Sequence, residues 1–382
     1  MRSTIYGPDH ESLRIMVSDF LESRAKPQVE KWEKQRRIDP EFYREAGRLG
    51  LLGLQVPEKF GGGGQTSFTY NMVVAQEMIA AHLQMSPMRV HTDVVLPYFL
   101  SCSDTQQAER WLPAIASGEK MTAIAMSEPG TGSDLSGIST SAVLDGDHYV
   151  LNGAKTFITG GINAGLIIVV ARTSRTEADR RSGLTLLVVE AGMDGYSIGR
   201  NLEKIGMKYA DTAELFFDNV HVPVQNRLGE EGAAFGYLTA NLAQERLSVA
   251  LGSVATAQAA ITETVRYVRE RQVFGKALSS FQNTKFQIAT ASAEVTAAES
   301  MLERAVIELD AGKLSGDDAA RVKLFCSEMQ GRIVDSCLQL FGGYGYMTEY
   351  PIARMYADSR ISRIYGGSSE IMKTIIAKSL GL

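Results

Sequence analysis

Apolar positions recur at helical spacing in the first and last thirds of the chain, and in short alternating or continuous runs between them. Leu13, Val17, Phe20 and Leu21 share one face of a helix that Lys26-Pro27 interrupts, and residues 41–49 begin another. Residues 68–83 and 91–100 continue the helical pattern, which Trp111-Leu112-Pro113 and Ser117-Gly118-Glu119 bring to a close. The glycine run at residues 61–64 lacks the Lys and Ser/Thr of a phosphate loop and reads as a flexible connection. From Lys120 the texture changes. Residues 121–126, 148–151, 166–171, 184–189 and 213–217 are strand-like, with Asp145-Gly146, Asn152-Gly153 and Asp194-Gly195 expected as turns. Strands that follow strands without helical crossovers predict a mainly antiparallel sheet.

Beyond Ala233 the helices are long. Ile288, Val295, Leu302 and Leu309 recur every seven residues with Ala291, Ala298 and Ala305 between them, a seam for an antiparallel helix neighbour. The expected organisation is α+β: an N-terminal helical domain over 1–119, a middle β domain over 120–231 and a C-terminal helical bundle over 232–382. One residue breaks the bundle's pattern. Phe235, Leu238, Leu242, Glu245 and Val249 follow at spacings of three, four, three and four, which puts a carboxylate on an apolar stripe. Such a group is paired, turned to water, or held as a general base in an apolar cavity. The stripe alone leaves these open.

Composition narrows the classes. Hydrophobic residues make up 45% and charged residues 22%, as in a globular protein, and no apolar run reaches membrane-spanning length. A formal net charge of -5 speaks against nucleic acid as the main partner. Cys102, Cys326 and Cys337 are scattered and odd in number, which suits a reducing compartment, and the five histidines show no metal-ligand spacing. The first residues carry no secretion signal, so the expectation is a cytoplasmic, metal-free protein.

The segment Ala125-Met126-Ser127-Glu128-Pro129-Gly130-Thr131-Gly132-Ser133-Asp134 leaves a strand and enters a loop of small and hydroxyl residues, suited to bringing backbone N–H groups against a polar ligand. It does not fit the dinucleotide fingerprint, because the third glycine and the strand-helix unit are missing. Together with Asn152-Gly153-Ala154-Lys155-Thr156-Phe157-Ile158-Thr159-Gly160-Gly161 and Arg269-Glu270-Arg271-Gln272-Val273-Phe274-Gly275-Lys276, it closely resembles the acyl-CoA dehydrogenase family. Gln339-Leu340-Phe341-Gly342-Gly343-Tyr344-Gly345-Tyr346 and Arg363-Ile364-Tyr365-Gly366-Gly367-Ser368-Ser369-Glu370 extend the resemblance in family order to the C-terminus.

The resemblance implies a homotetrameric FAD enzyme that dehydrogenates an acyl-CoA between Cα and Cβ and passes electrons to an electron-transfer flavoprotein. By motif position, Ser127, Phe157 and Thr159 lie at the isoalloxazine, with Ile124, Met126, Ile158, Ser368 and Glu370 as further cofactor contacts. Arg271, Phe274, Gln282 and the turn bearing Gln339, Gly342 and Gly343 reach the FAD of a neighbouring subunit. Ser133, Arg246 and Tyr365 touch substrate. Many members carry the catalytic Glu directly after the motif Tyr, where this chain has Tyr365-Gly366. The long-chain and isovaleryl subfamilies place it instead in a Glu-Arg pair that Gln244-Glu245-Arg246-Leu247 resembles, so the resemblance implies Glu245 as base and the Gly366 N–H as oxyanion donor. His91, Thr92 and Val95 are expected to line the acyl pocket, for a medium to long or branched chain. Alternatives are a carrier-protein-linked dehydrogenase, an oxygen-using oxidase, or a helical assembly protein without catalysis.

Overall fold

The computed structural model describes residues 4–174 and 181–382. The chain opens with helices α1 (Pro8–Phe20), α2 (Val29–Gln35), α3 (Pro40–Arg48), α4 (Thr69–Ala80), α5 (Ser86–Arg89), α6 (Leu96–Cys102) and α7 (Thr105–Ala116). Proline stands in the first turn of α1, α3, α5 and α6, where its missing N–H costs nothing, and Asp104 caps α7 by accepting from Gln107 N. Two segments are π-helical: Leu21–Ala25 ends α1, and Val90–Val95 joins α5 to α6. Residues 61–64 are not the loose connection expected from their composition. Gly63 N donates to Gly53 O at 2.9 Å, Gly64 N to Val56 O at 2.9 Å and Gln65 N to Leu54 O at 2.8 Å, so glycine here permits close approach of two backbones.

The middle of the chain forms strands β1 (Met121–Ala125), β2 (Ser141–Asp145), β3 (His148–Thr159), β4 (Ala164–Arg172), β5 (Leu184–Glu190), β6 (Tyr196–Asn201), β7 (Thr212–Pro223) and β8 (Arg227–Leu228). Their order is β6-β7-β3-β2-β4-β5-β8, with β1 also against β4. β1 runs parallel to β4 and the long ladders β3–β7 and β4–β5 are antiparallel, a mixed but mainly antiparallel sheet. The turn expected at Asn152-Gly153 is wrong: both residues lie inside β3. The register slips between Leu151 and Gly153, and a Cβ at 153 would sit 2.5 Å from Thr140 Oγ1, so the glycine marks a bulge packed against a neighbouring strand.

The last third holds α8 (Ala234–Glu270), the short hairpin β9 (Gln272–Val273) and β10 (Lys276–Ala277), then α9 (Gln282–Asp310), α10 (Gly316–Phe341), α11 (Pro351–Ser359) and α12 (Ser369–Ser379). On α9, Ala291, Val295, Ala298, Leu302 and Ala305 are buried as the heptad predicts, with Ile288 and Leu309 at the margins. One apolar cluster runs from Leu13 and Phe42 through Met72 and Leu251 to Met329, so helices from both ends of the chain share a core. A second joins α6 and α7 to one face of the sheet through Trp111, Leu166 and Leu186; a third fills the other face around Tyr149, Ile167 and Leu215. α8 contributes to the first two. It packs on α4, α9 and α10, and its N-terminal turns reach the sheet.

Candidate active site

Glu245 projects from the fourth turn of α8 with Leu238 and Val249 buried on its stripe and Phe235 and Leu242 half-buried. Its Oε2 is buried and accepts no hydrogen bond, and among the described residues the carboxylate forms no ion pair. Burial pushes its pKa up to about 6, against the lowering influence of Arg246 and Lys323. The carboxylate thus takes no pair, and its Oε2 is shut off from solvent although the residue as a whole is only half-buried.

Gly366 stands opposite. A Cβ there would lie 3.8 Å from Glu245 Oε1 and 3.2 Å from Val249 Cγ2, and its φ of 63° is in the left-handed region that favours glycine. The missing side chain at 366 and the carboxylate at 245 therefore occupy one space. Tyr98, buried, and Tyr365, 36% exposed, stand beside it: desolvation raises both phenols, and the Glu245 charge raises them further. Tyr98 Oη is buried without a hydrogen-bond partner.

Two cations stand behind this pocket. Arg246, 7% exposed, donates from Nη1 to Gly316 O at 3.2 Å, so the structure places it against the start of α10 rather than toward solvent. Lys323 on α10 is fully buried and donates from Nζ to Gly367 O at 2.8 Å, fixing the turn that carries Gly366. Burial first, and then the Arg246 charge, lower the Lys323 pKa to about 8. Sequence reasoning missed Lys323, although the signal was the one that exposed Glu245: it lies on α10 among the buried Ala319, Val322, Cys326 and Gln330.

The loop after β1 is organised by a buried ion pair. Glu128 takes hydrogen bonds from Ser139 N (2.8 Å), Ser139 Oγ (2.6 Å), Thr140 N (2.9 Å) and Lys155 Nζ (2.9 Å); Lys155 Nζ also donates to Met126 O at 3.0 Å. Thr156 N donates to Ser127 O at 3.0 Å, which ties the loop to β3. Burial works to raise the Glu128 pKa, but these donors and the lysine charge bring it down to about 2. The result is a shelf that brings Met126 and Ser127 beside Phe157, Ile158 and Thr159. Ile124 and Ile158 are part of its packing, whereas Phe157 has φ 61° and is 68% exposed. An exposed aromatic ring held in a left-handed backbone, beside free hydroxyl and backbone groups, fits a planar cofactor. Ser133 is exposed farther along the same loop.

The remaining predicted residues divide between two places. Ser368 caps α12 by accepting from Ile371 N, with Glu370 exposed in the first turn, close to the Gly366 turn. Arg271, Phe274, Gln282, Gln339, Gly342 and Gly343 are all exposed at the other end of α8, Phe274 by 95%, with the Arg271 guanidinium 5.6 Å from the Tyr344 ring centre. The stretch of α8 from Glu245 to Arg271 spans about 39 Å at roughly 1.5 Å per residue, so the two groups do not meet within one chain. Of the expected pocket residues, His91 is fully buried with Nδ1 against Thr122 N at 3.0 Å, Val95 is core, and Thr92 lines a small cavity together with Leu51, Asn71, Met78 and Asp93.

Three family models match the chain: acyl-CoA dehydrogenase N-terminal domain at residues 7–119, middle domain at 123–220 and C-terminal domain at 232–381. The chain is 38% identical over 377 residues to the long-chain specific acyl-CoA dehydrogenase of Rattus norvegicus, covering 98% of this chain and 87% of that protein. It is 32% identical over 369 residues to a short-chain specific acyl-CoA dehydrogenase of Clostridium acetobutylicum, covering 97% of each. The crystal structure of an acyl-CoA dehydrogenase from Geobacillus kaustophilus superimposes with a TM-score of 0.97 at 42% identity, covering 100% of both chains.

Proposed function

The chain belongs to the acyl-CoA dehydrogenase family of FAD-dependent oxidoreductases, and from that premise we propose that it desaturates an acyl-CoA between Cα and Cβ with Glu245 as the base. The observation that carries this reading is the unpaired Glu245 carboxylate set against the glycine at 366. Removal of the Cα proton needs a base that is ionised yet poorly solvated, and the apolar stripe of α8 supplies that environment. Glu245 takes the Cα proton. The Gly366 N–H donates to the thioester oxygen as negative charge develops, with Lys323 holding the adjacent carbonyl so that the turn keeps its orientation. Tyr98 and Val249 keep water from the buried side of the carboxylate. FAD, when bound on the shelf formed by Met126, Ser127, Phe157, Ile158 and Thr159, supplies the acceptor for the Cβ hydride.

The distance between Glu245 and the Arg271 cluster supports an oligomer in which Arg271, Phe274, Gln282, Gln339, Gly342 and Gly343 face a neighbouring chain's cofactor. A homotetramer and transfer of electrons to an electron-transfer flavoprotein are part of the same proposal, as is a soluble, cytoplasmic enzyme. The relatives differ in the chain length their names state, and the placement of the base supports a medium to long or branched acyl group.

Anaerobic mixing of the holoenzyme with saturated acyl-CoAs of graded length tests this. Loss of oxidised-flavin absorbance is expected with medium and long chains. Turnover confined to very short straight chains would overturn the substrate reading, and a flavin that no acyl-CoA bleaches would overturn the reaction.

The pH profile is a second expectation. Glu245 works ionised, so kcat/KM is expected to rise with pH through about 6 and level off above it. Lys323→Met removes a cation that lowers the Glu245 pKa and also frees the Gly367 carbonyl. The rising limb should move to higher pH and kcat fall roughly tenfold, less than loss of a direct oxyanion donor. A limb that stays in place would show that Lys323 acts on packing alone.

A further inference from the structure

α10 carries a stripe on its outer side. Phe325, Glu328, Arg332, Asp335 and Gln339 follow at spacings of three, four, three and four, and all are exposed or half-buried, whereas Cys326, Met329, Ile333 and Cys337 beside them are core. Along this stripe runs a groove of about 260 Å³, several times the roughly 30 Å³ share of one water molecule. Gly331, Arg332 and Asp335 line one side of it; Tyr356 of α11 and Arg360 and Arg363 of the helical turn that follows line the other. A Cβ at 331 would sit 3.2 Å from Arg363 Cζ, so the glycine lets that guanidinium lie against the backbone of α10.

Two of the three arginines have carboxylates of their own chain. Arg332 Nη2 pairs with Glu294 Oε2 of α9 at 2.7 Å, and Arg363 Nη1 faces Glu328 Oε2 at 3.6 Å. Arg360 and Asp335 are left over. Both are exposed and line the same groove, yet among the described residues neither forms an ion pair or a side-chain hydrogen bond. A free anion fits this groove poorly, because Glu294, Glu328 and Asp335 already match the three guanidinia in charge. A second copy of the chain fits it well. A two-fold axis sets one patch against itself, so that Arg360 of each copy faces Asp335 of the other. Tyr356, 49% exposed, and Phe325, 39% exposed, add apolar surface beside the charges, and tyrosine and arginine are the side chains in which interfaces concentrate their binding energy. Gln339, one turn beyond Asp335, belongs to the surface proposed above to face a neighbouring chain, so the groove is continuous with it.

We propose that this groove and the outer stripe of α10 form an isologous interface between two copies of the chain, closed by reciprocal Arg360–Asp335 pairs. The assignment rests on the oligomer proposed above and gives it a surface, a symmetry and a pair of contacts outside the cofactor-facing residues.

The test uses Asp335→Arg and Arg360→Asp holoenzymes in analytical ultracentrifugation over a dilution series. Each substitution sets like charges against each other at both ends of the two-fold interface, and each is expected to raise the dissociation constant about a hundredfold or more. Mixed in equal amounts, the two variants should associate about as tightly as the native chain, because every introduced charge then meets its opposite on the other copy. A pair closed within one chain would gain nothing from mixing. Both side chains are exposed, so circular dichroism and the thermal melt of each variant should match the native protein. Native dissociation constants in both variants, or weakened variants that mixing does not rescue, would overturn the interface while leaving the oligomer to other surfaces. A monomeric native holoenzyme would overturn both. Calorimetric binding of inorganic pyrophosphate that Arg360→Asp abolishes, with association unchanged, would overturn the interface in favour of an anion site.

Discussion

Glu245→Gln is expected to lower the rate of flavin reduction by acyl-CoA by roughly 10²–10⁴-fold while leaving FAD bound, the span usual for removal of a general base. The substitution keeps the volume and removes the proton acceptor. Its effect on stability has the opposite sign. Burial raises the Glu245 pKa from 4.5 to about 6, so the folded chain holds this proton more tightly than the unfolded chain. Between those two pH values the native state binds more protons, and stability falls as pH rises through the window. At neutral pH the ionised carboxylate is thus a cost, of order 2 kcal/mol by the size of the shift, which the neutral amide relieves. A variant that is inactive and at least as thermostable as the native enzyme, in a thermal melt at pH 7, identifies a functional carboxylate. A variant that reduces flavin at the native rate would remove Glu245 from the mechanism.

Lys155→Met is expected to destabilise the protein by about 3–5 kcal/mol, because it leaves Glu128 as a buried charge without its cation. The lysine is 1% exposed and burial pulls its own pKa down to about 8, so the pair gains nothing by being charged unless both members are present. Loss of Nζ also frees Met126 O, and the loop that positions Ser127 should loosen, so the purified variant should retain less FAD. The double substitution Glu128→Gln with Lys155→Met should recover part of the loss, since no charge then remains buried. Chemical denaturation of the two variants checks this. If the single and double variants unfold at the same denaturant concentration, the damage comes from lost packing rather than an uncompensated carboxylate.

Much of this protein was legible in local pattern. The seven-residue recurrence on α9 and the spacing on α8 depend only on helical geometry, so burial of Val295 and Leu302 and the place of Glu245 on an apolar stripe follow from the chain itself. The resemblance of five motifs named the family, and the family models and relatives match over nearly the whole chain. Two local readings failed for one physical reason. The composition of residues 61–64 and of Asn152-Gly153 points to flexibility and a turn, but Gly62 and Gly153 serve close approach to Val56 and Thr140, six and thirteen residues away and beyond the span of a single turn.

Tertiary structure decided what the carboxylate could be. A stripe places Glu245 on an apolar face, and only the fold brings Gly366, 121 residues later, against it and leaves its Oε2 buried without a hydrogen bond. The same holds for Lys323 on the Gly367 carbonyl, for Lys155 under the Ser127 loop, and for Arg89 against Gly252. Each is a charged side chain whose neighbours come from another element. Periodicity reports which face a residue occupies because that is set by rise and turn, but charge, desolvation and pKa are set by whatever packs on that face.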